Sequence, residues 1–427
     1  MLSGKSSEKN APSSSGKERR AWPSAPKIDV RQNPTPEFIA VIRSKFPVEA
    51  EMDRVLTRKM ERRSGPGYTP ISLVRLVEGA TALIRTSTTG DFALRDARWL
   101  TGGASKLQMA FDLDWNGPNN DARQTTKMVL RMEPPESVVE TSRRREFELI
   151  KALEGVVAVP PAYWVDPDGA FLPHPALIYG FAKGVTKPSS LPSAQVTGIG
   201  LNYGPEFRPV LAQHFLRDVG RFHNPGSDVL AKLSSFDSAQ LGSSDATIKQ
   251  VNWWRRVWEE DRAEDIPLMN IAYKWLLENA PELDHVSIVH GDCRGGNFLF
   301  TENDKEITAW LDWELAYLGD RHQDLAWSMM NAYRHYAEDG KTELMSGFLP
   351  ENEYLETYER YSGLKVDRKR LNYFRMLCSY MSVSICQGTA YRVARGSKTH
   401  QDIVVTWLAM ITSTLLNQMR TTLEEVA

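Results

Sequence analysis

The stretch "VHGDCRGGNFLF", residues 289–300, places an imidazole, a carboxylate, a guanidinium and an amide on one short run between apolar flanks. Asp292 and Asn297 are five residues apart, and Asp312 follows fifteen residues later, after a short apolar run typical of a strand. Mg²⁺ prefers oxygen ligands and usually takes one or two carboxylates plus substrate phosphates. Phosphoryl transfer needs positioning, neutralisation of charge by a metal, and an acceptor for the hydroxyl proton. The pattern therefore predicts Mg²⁺-dependent phosphoryl transfer.

Five short motifs, including the one above, can be compared with known families. "HGDCRGGN", "LDWE" and "GDRHQDLAW" together resemble the aminoglycoside phosphotransferase and choline kinase-like family, and "LTGGASKL" and "VLRMEPP" resemble the Gly-rich loop and third strand of its bacterial phosphotransferase branch. The Asp-x-x-x-x-Asn spacing is also that of the protein kinase catalytic loop. The resemblance covers residues 95–330 approximately. It implies an α+β, protein kinase-like fold, with a small β-rich N-terminal lobe and a larger, mainly helical C-terminal lobe.

The resemblance implies roles for the residues that match its catalytic motifs. Asp292 would be the catalytic aspartate that orients or deprotonates the acceptor hydroxyl, and Arg294 would neutralise the transferred phosphate. A solvated loop arginine is the alternative for Arg294. Asn297 and Asp312 would bind Mg²⁺. His290 is expected to brace the loop rather than to transfer protons.

Two aspartates after the metal-binding motif are expected to be structural. Asp324, in "QDLAW" at the start of a helix, resembles the aspartate that anchors the catalytic-loop backbone in this family. Asp320, in "LGDRH", is expected to be a second brace. Neither is assigned a part in the chemistry.

The resemblance also implies an ATP site in the N-terminal half. Gly102, Gly103 and Ser105 of "TGGASK" would lie over the ATP phosphates, because glycines let the backbone approach an anion and present N–H groups to it. Taken alone, a Gly-Gly turn is more often a simple hairpin. Tyr179 and Phe181, in "LIYGFAKG", would belong to the hinge that meets adenine through its backbone.

A basic residue on the third strand would complete the phosphate site. Alternation along "TTKMVLRMEP" puts Lys127 and Arg131 on one face of the strand. The family's phosphate-binding position matches Arg131, which departs from the lysine of protein kinases, and Lys127 is the alternative. Glu146, on the following helix, would pair with Arg131, and an ordinary exposed helix glutamate is the alternative for it.

Composition limits the partners and the location of the protein. The 427 residues are 41% hydrophobic and 25% charged with a net charge of −2, which is ordinary globular composition and gives no general field for nucleic acid or anionic membranes. No apolar run approaches the ~20 residues that span a bilayer, and no signal-peptide pattern precedes the first helix. Three cysteines without a CxxC pair indicate reduced thiols. We therefore expect a cytoplasmic protein with no nucleic-acid or membrane partner.

Pattern changes along the chain divide it into three segments. Residues 1–34 are rich in Ser, Lys, Pro and Gly and are predicted to be a disordered tail. Residues 35–182 are predicted to hold N-terminal helices and the nucleotide-binding lobe. Residues 183–427 are predicted to form the helical lobe with the catalytic loop and the substrate pocket.

The acceptor is predicted to be the hydroxyl of a small metabolite or antibiotic. Only twelve residues separate Asp312 from Asp324, which leaves no room for the activation segment on which protein kinases bind a peptide. Trp253, Trp254 and Trp258 are candidates for an aromatic wall of the acceptor pocket, and core packing is the alternative for them. The sequence leaves open the acceptor itself, ATP or GTP as donor, and the oligomeric state.

Two other functional classes compete with a small-molecule kinase. A nucleotide-binding, pseudokinase-like scaffold is disfavoured because Asp292, Asn297 and Asp312 are all present, and only the arginine at position 131 supports it. A Mg²⁺-dependent phosphohydrolase could use the same acids but has no need of the Gly-rich loop and third strand.

Overall fold

The computed structural model describes residues 29–100, 106–118, 122–190, 201–390, 392–393, 408 and 410–426. The candidate phosphate-loop residues Gly102, Gly103 and Ser105 lie outside the described residues, as does most of the predicted tail. At residues 29–34 the chain turns against the helical half of the molecule, where Arg31 Nε donates to the Glu259 carbonyl at 2.7 Å.

A five-stranded antiparallel sheet forms the core of the N-terminal half. Its strands lie in the order β1-β2-β3-β5-β4 and cover β1 (Ala93–Trp99), β2 (Leu107–Trp115), β3 (Gln124–Met132), β4 (Ala162–Asp166) and β5 (Ala176–Gly180). The strand predicted over "TTKMVLRMEP" corresponds to β3, and β1 and β2 lie on either side of the Gly-rich segment. The five-residue strand β4 was not predicted.

Four helices accompany this sheet: α1 (Pro36–Lys45), α2 (Ala50–Glu61), α3 (Leu73–Arg85) and α4 (Arg143–Leu153). Thr35 caps α1 by accepting from the Phe38 N–H at 3.2 Å, with proline in the first turn. Ser142 caps α4 in the same way, through the Arg145 N–H at 3.3 Å. Helix α4 packs beside β4 and β5, where it can face the strand that carries Arg131.

The C-terminal half is mainly helical and carries three short antiparallel ladders. The ladders pair β6 (Ser287–Val289) with β9 (Tyr317–Gly319), β7 (Phe298–Phe300) with β8 (Ile307–Trp310), and β10 (His335–Tyr336) with β11 (Glu343–Leu344). The helices are α5 (Gly204–His223), α6 (Ser227–Leu230), α7 (Asp245–Asp261), α8 (Pro267–Glu278), α9 (His322–Ser328), α10 (Glu351–Ser362), α11 (Arg368–Val383), a π-helix (Ser384–Ala390) and α12 (Thr412–Val426). Short 3₁₀ turns cover Trp313–Leu315 and Asn331–Tyr333. None of the helices within the described ranges is long and apolar enough to cross a membrane.

Helix α2 connects the two halves through buried ion pairs. Lys59, 1% exposed, places Nζ 2.6 Å from Glu260 Oε2 and 3.1 Å from Asp261 Oδ1 on α7. One turn away, Arg62 donates to Glu140, before α4, at 2.7 Å. Removing one partner of a buried pair leaves an uncompensated charge, so these contacts restrict how the two halves can move relative to one another.

The three neighbouring tryptophans of α7 all belong to the hydrophobic core. Trp253, Trp254 and Trp258 are 2%, 0% and 2% exposed, and the rings of Trp253 and Trp254 stack with centroids 5.3 Å apart. Helix α7 packs against α1, α2, α8 and the π-helix, which covers these rings from several sides. The structure therefore favours core packing over an aromatic wall of the acceptor pocket.

We predict that Trp254→Ala lowers the free energy of unfolding by ~3–5 kcal/mol, because it leaves a large cavity in a packed core. Val74→Ala is the control, since Val74 is 67% exposed on the surface of α3 and its loss should change stability by less than ~0.5 kcal/mol. Chemical denaturation monitored by circular dichroism measures both values. Equal stabilities for the two variants would contradict the placement of Trp254 in the core.

Candidate active site

The segment 290–297 joins β6 to β7 and is held by one buried carboxylate. Asp324, on α9, accepts from the backbone N–H groups of His290 at 2.6 Å and Gly291 at 2.9 Å. His223 Nε2 lies 3.0 Å from the same carboxylate. Burial lowers the pKa of His223 although Asp324 opposes this, so the ring is neutral and donates to Asp324 through Nε2. These contacts agree with the anchoring role expected for Asp324.

Gly291 provides a bend that no other residue could make without strain. Its φ is +82°, and a Cβ placed there would lie 2.5 Å from the Leu315 carbonyl oxygen. The tight approach brings the loop against the 3₁₀ turn that follows the "LDWE" aspartate.

His290 links the "HGDCRGGN" and "LDWE" motifs. Its Nδ1 accepts from the Asp292 N–H at 3.2 Å, and its Nε2 donates to the Leu311 carbonyl at 2.9 Å, so the neutral ring carries its proton on Nε2. The ring also packs on Trp313, with centroids 4.4 Å apart. Both nitrogens are engaged with backbone groups, which supports a bracing role.

Asp292 and Asn297 are in direct contact. Asn297 Nδ2 donates to Asp292 Oδ2 at 2.7 Å and to the Asp292 carbonyl at 2.8 Å. Arg294 Nε donates to Asp292 Oδ1 at 2.9 Å. Sequence reasoning missed a fourth contact, in which Trp327 Nε1 donates to Oδ1 at 2.7 Å. The only sequence signal for this residue was its place in the "QDLAW" motif.

The antiparallel ladder between β7 and β8 brings Asp312 beside Asn297. Phe298 pairs with Trp310, and the Leu311 N–H donates to the Asn297 carbonyl at 2.9 Å. Asp312 then takes a left-handed conformation, with φ 60° and ψ 42°. A non-glycine residue in this region is uncommon and often marks a functional site.

The donor set of Asn297 and Asp312 suits a hard cation. Because Asn297 directs its amino group to Asp292, its amide oxygen faces the other way, and the Asp312 side chain remains 39% exposed. Within the described ranges, no group of three or more His, Cys, Asp or Glu residues could hold a metal ion by itself. One carboxylate and one amide oxygen completed by phosphate oxygens is a set that Mg²⁺ commonly accepts.

Arg131 reaches this pair from the sheet. It is 4% exposed, its Nε lies 3.6 Å from Glu146 Oε1, and its Nη1 pairs with Asp312. Its Nη2 lies 3.1 Å from Glu314, the glutamate of "LDWE". Lys127 lies four residues before Arg131 on β3 and is exposed. The structure therefore brings Arg131, Glu146 and Asp312 together and leaves Lys127 apart.

A buried ion cluster behind Arg131 was not predicted. Lys106 Nζ lies 2.9 Å from Glu133 Oε2 and 3.2 Å from Glu314 Oε2, and Arg143 Nε lies 2.9 Å from Glu133 Oε1. Burial opposes ionisation of Glu314, but Lys106, Arg131 and Arg143 more than offset it and lower the pKa of Glu314 well below its usual value. The cluster fixes the turn that carries Asp312.

The two hinge candidates differ in their surroundings. Tyr179 lies on β5 opposite Val129 and is 8% exposed, and burial raises its pKa to about 12. Phe181 is 41% exposed, and its backbone N–H donates to the Lys127 carbonyl at 2.8 Å. That N–H is therefore engaged within the sheet rather than directed at a ligand.

Comparison with known proteins identifies the family. A sequence model of the phosphotransferase enzyme family matches residues 115–364, more than half of the chain. The chain belongs to this family. The resemblance of its motifs had predicted this family.

A solved structure supports the same fold. A candidate aminoglycoside phosphotransferase from Ralstonia eutropha JMP134 superposes with a TM-score of 0.57 at 22% identity, over 82% of this chain and 98% of that chain. The predicted α+β, protein kinase-like fold is confirmed.

Curated relatives are longer proteins. Mouse acyl-CoA dehydrogenase family member 10 is 26% identical over 310 residues, which are 69% of this chain and 27% of the relative. Chicken acyl-CoA dehydrogenase family member 11 is 29% identical over 184 residues, which are 40% of this chain and 24% of the relative. The chain thus spans about a quarter of the length of these relatives.

Asp320, which precedes α9, gives a pH-dependent prediction. Its Oδ1 accepts from the His322 N–H at 2.9 Å, and its Oδ2 accepts from Arg370 at 2.9 Å. Burial opposes ionisation, but hydrogen bonds from His322 outweigh it and lower the pKa of Asp320 to about 2. Because the pKa of this carboxyl is lower in the folded state than in the unfolded state, its ionised form stabilises the fold above pH ~4. This stabilisation is lost as the pH falls toward 2 and the carboxyl becomes protonated in the folded state.

We therefore expect Asp320→Asn to be less stable than the native protein by roughly 2 kcal/mol or more at pH 7. The difference should shrink between pH ~4 and ~2, because the native carboxyl then becomes protonated. Urea unfolding at pH 7, 5 and 3 measures it. A difference that is equal at pH 7 and pH 3 would refute the assignment of this carboxylate.

Proposed function

We propose that this protein transfers the γ-phosphate of ATP to a hydroxyl of a small molecule, with Asp292 orienting and deprotonating that hydroxyl. The observation that carries the proposal is the convergence of Asp292, Asn297 and Asp312 from two separate motifs. Asn297 contacts Asp292 at 2.7 Å through its side chain, and its carbonyl accepts from the residue before Asp312 at 2.9 Å. This arrangement joins a proton acceptor to oxygen ligands for a metal.

Asn297 and Asp312 would hold Mg²⁺, which when bound neutralises charge on the phosphates. Arg131 would contact the phosphates, held in place by Glu146 behind it. Arg294 would neutralise the transferred group; its guanidinium lies beside Asp292 and 5.3 Å from the centre of the Tyr333 ring. In this proposal residues 35–182 form the nucleotide-binding lobe and residues 183–427 the acceptor-binding lobe.

The short segment between Asp312 and Asp324 favours a small molecule over a peptide as the acceptor. The 3₁₀ turn and β9 occupy this segment, and β9 pairs with β6 directly under the catalytic loop. A peptide platform has no place there. Because curated relatives are named acyl-CoA dehydrogenases, hydroxylated acyl thioesters belong in an acceptor screen beside hydroxylated metabolites and aminoglycosides.

A nucleotide-binding scaffold remains the second candidate, and two variants separate the two functions. Asp292→Asn should lower turnover by roughly 10²-fold or more, the loss expected for removing a general base, while ATP affinity stays near the native value. Asp312→Ala should instead abolish the Mg²⁺ dependence of ATP binding. Calorimetric ATP titrations with and without Mg²⁺, beside an ADP-release assay, give both values. Turnover of Asp292→Asn near the native level would remove Asp292 from its proposed role.

The phosphate contact is tested by Arg131→Ala, with Lys127→Ala as the matched basic control on the same strand. Arg131→Ala should raise the KM for ATP by at least about tenfold, as expected for a charged hydrogen bond worth ~1.5–3 kcal/mol. Arg131→Lys should recover part of this loss, because one charge remains but the planar fork is gone. Lys127→Ala should change KM less than about twofold. The reverse order of effects would assign the contact to Lys127.

A further inference from the structure

Three residues on one face of α9 form hydrogen bonds with the catalytic loop. Asp324 holds the loop backbone at its start, and Ser328 Oγ donates to the Cys293 carbonyl at 2.6 Å. Between them, Trp327 donates to the Asp292 carboxylate at 2.7 Å. Positions i, i+3 and i+4 share one face of a helix, so the three contacts come from a single surface. Of the three, only the contact from Trp327 reaches the side chain that would do the chemistry.

The two oxygens of Asp292 have different surroundings. Oδ1 accepts from Trp327 Nε1 at 2.7 Å and from Arg294 Nε at 2.9 Å. Among the described residues, Oδ2 accepts only from Asn297, at 2.7 Å. Each carboxylate oxygen offers about two acceptor sites. The donors on Oδ1 therefore fill it, and Oδ2 keeps room for one more proton donor.

The indole of Trp327 cannot easily turn away from Asp292. Trp327 is 5% exposed, and its ring packs on Tyr333 with centroids 5.6 Å apart. Tyr333 in turn lies under the Arg294 guanidinium, 5.3 Å from the ring centre. The two donors to Oδ1 are thus held by the same aromatic ring, which fixes their common orientation.

We propose that Trp327 is a positioning residue that, together with Arg294, occupies Oδ1 and presents Oδ2 of Asp292 to the acceptor hydroxyl. As the acceptor oxygen forms its bond to the γ-phosphorus and the bond from that phosphorus to the ADP oxygen breaks, the hydroxyl proton passes to Oδ2. The oxygen that receives the proton is the one beside Asn297. This inference rests on the function proposed above for Asp292.

The kinetic test is Trp327→Phe, which keeps an aromatic ring on Tyr333 but removes the N–H. Turnover is followed as ADP release from Mg-ATP with water as the acceptor. Loss of the hydrogen bond from Trp327 to the Asp292 carboxylate should lower kcat by about tenfold or more, because hydrogen bonds to charged groups are strong. The KM for ATP and the melting temperature should change little. Trp254→Phe is the matched control, because the indole nitrogen of Trp254 has no hydrogen-bond partner among the described residues. Its kcat should stay within about twofold of the native value.

A second measurement detects the hydrogen bond itself in the full-length protein. The indole ¹H–¹⁵N signal of Trp327 is assigned by its loss in Trp327→Phe, and Asp292→Asn should move it upfield while the Trp254 signal stays in place. A Trp327 signal that does not respond to Asp292→Asn would overturn the inference. So would a Trp327→Phe variant with native kcat, or one that loses kcat, ATP affinity and melting temperature together, because packing alone explains that result.

The proposed function and the positioning role of Trp327 are contradicted by different results. If Asp292→Asn retains native turnover, the proposed function is wrong whatever Trp327 does. If Asp292→Asn is inactive and Trp327→Phe is fully active, the function stands and only the positioning role is wrong.

Discussion

The candidate site depends on one buried carboxylate, that of Asp324. It accepts the backbone N–H groups of His290 and Gly291, so it pairs two donors that would otherwise be unsatisfied in the interior. Neutral His223 adds a third hydrogen bond. Once the start of the loop is fixed in this way, Asp292 and Asn297 lie in mutual contact, and the β7–β8 ladder brings Asp312 beside them. Loss of Asp324 would therefore disturb the backbone before any catalytic side chain.

A second constraint is the ionic contact between the two halves of the molecule. Arg131 on the sheet pairs with Asp312 and Glu314 on the helical half, and Lys106 reaches Glu314 from the start of β2. Helix α2 adds ion pairs to α7 and to the loop before α4. Helix α2 precedes the region that matches the family, residues 115–364. Helix α2 therefore links the two halves from outside the segment that the family model matches.

The sequence predicted the parts of the site that are encoded locally. The catalytic loop, the "LDWE" turn and β3 each lie within one short segment, where spacing and alternation determine which side chains meet. The pairing of Arg131 with Glu146 was implied by the family resemblance, and the two side chains lie 3.6 Å apart. The assignment of chemistry to these residues remains a proposal, and the Gly-rich loop residues lie outside the described part of the chain.

Contacts between segments that are distant along the chain could not be predicted from local sequence patterns. Lys106, Glu133, Arg143 and Glu314 form a cluster only because the sheet folds onto the helical half, and isolated charged residues are usually solvated. The buried position of Lys59, on α2, was likewise not predicted. Trp327 belongs to the recognised "QDLAW" motif, but a tryptophan in a helix most often packs in the hydrophobic core. Its hydrogen bond to Asp292 became evident only in the structure.

The most direct test of the account is to identify where the phosphate goes. Purified protein is incubated with Mg-ATP and a library of hydroxylated metabolites, acyl thioesters and aminoglycosides, and ³¹P spectra are recorded with ADP quantified in parallel. We predict that at least one acceptor gives a new phosphate ester in an amount equal to the ADP formed, and that Asp292→Asn gives none. Release of inorganic phosphate that no acceptor redirects would indicate a phosphohydrolase, and ATP binding without turnover would indicate a scaffold. Either result would contradict the assignment of this site to phosphoryl transfer onto a small-molecule hydroxyl.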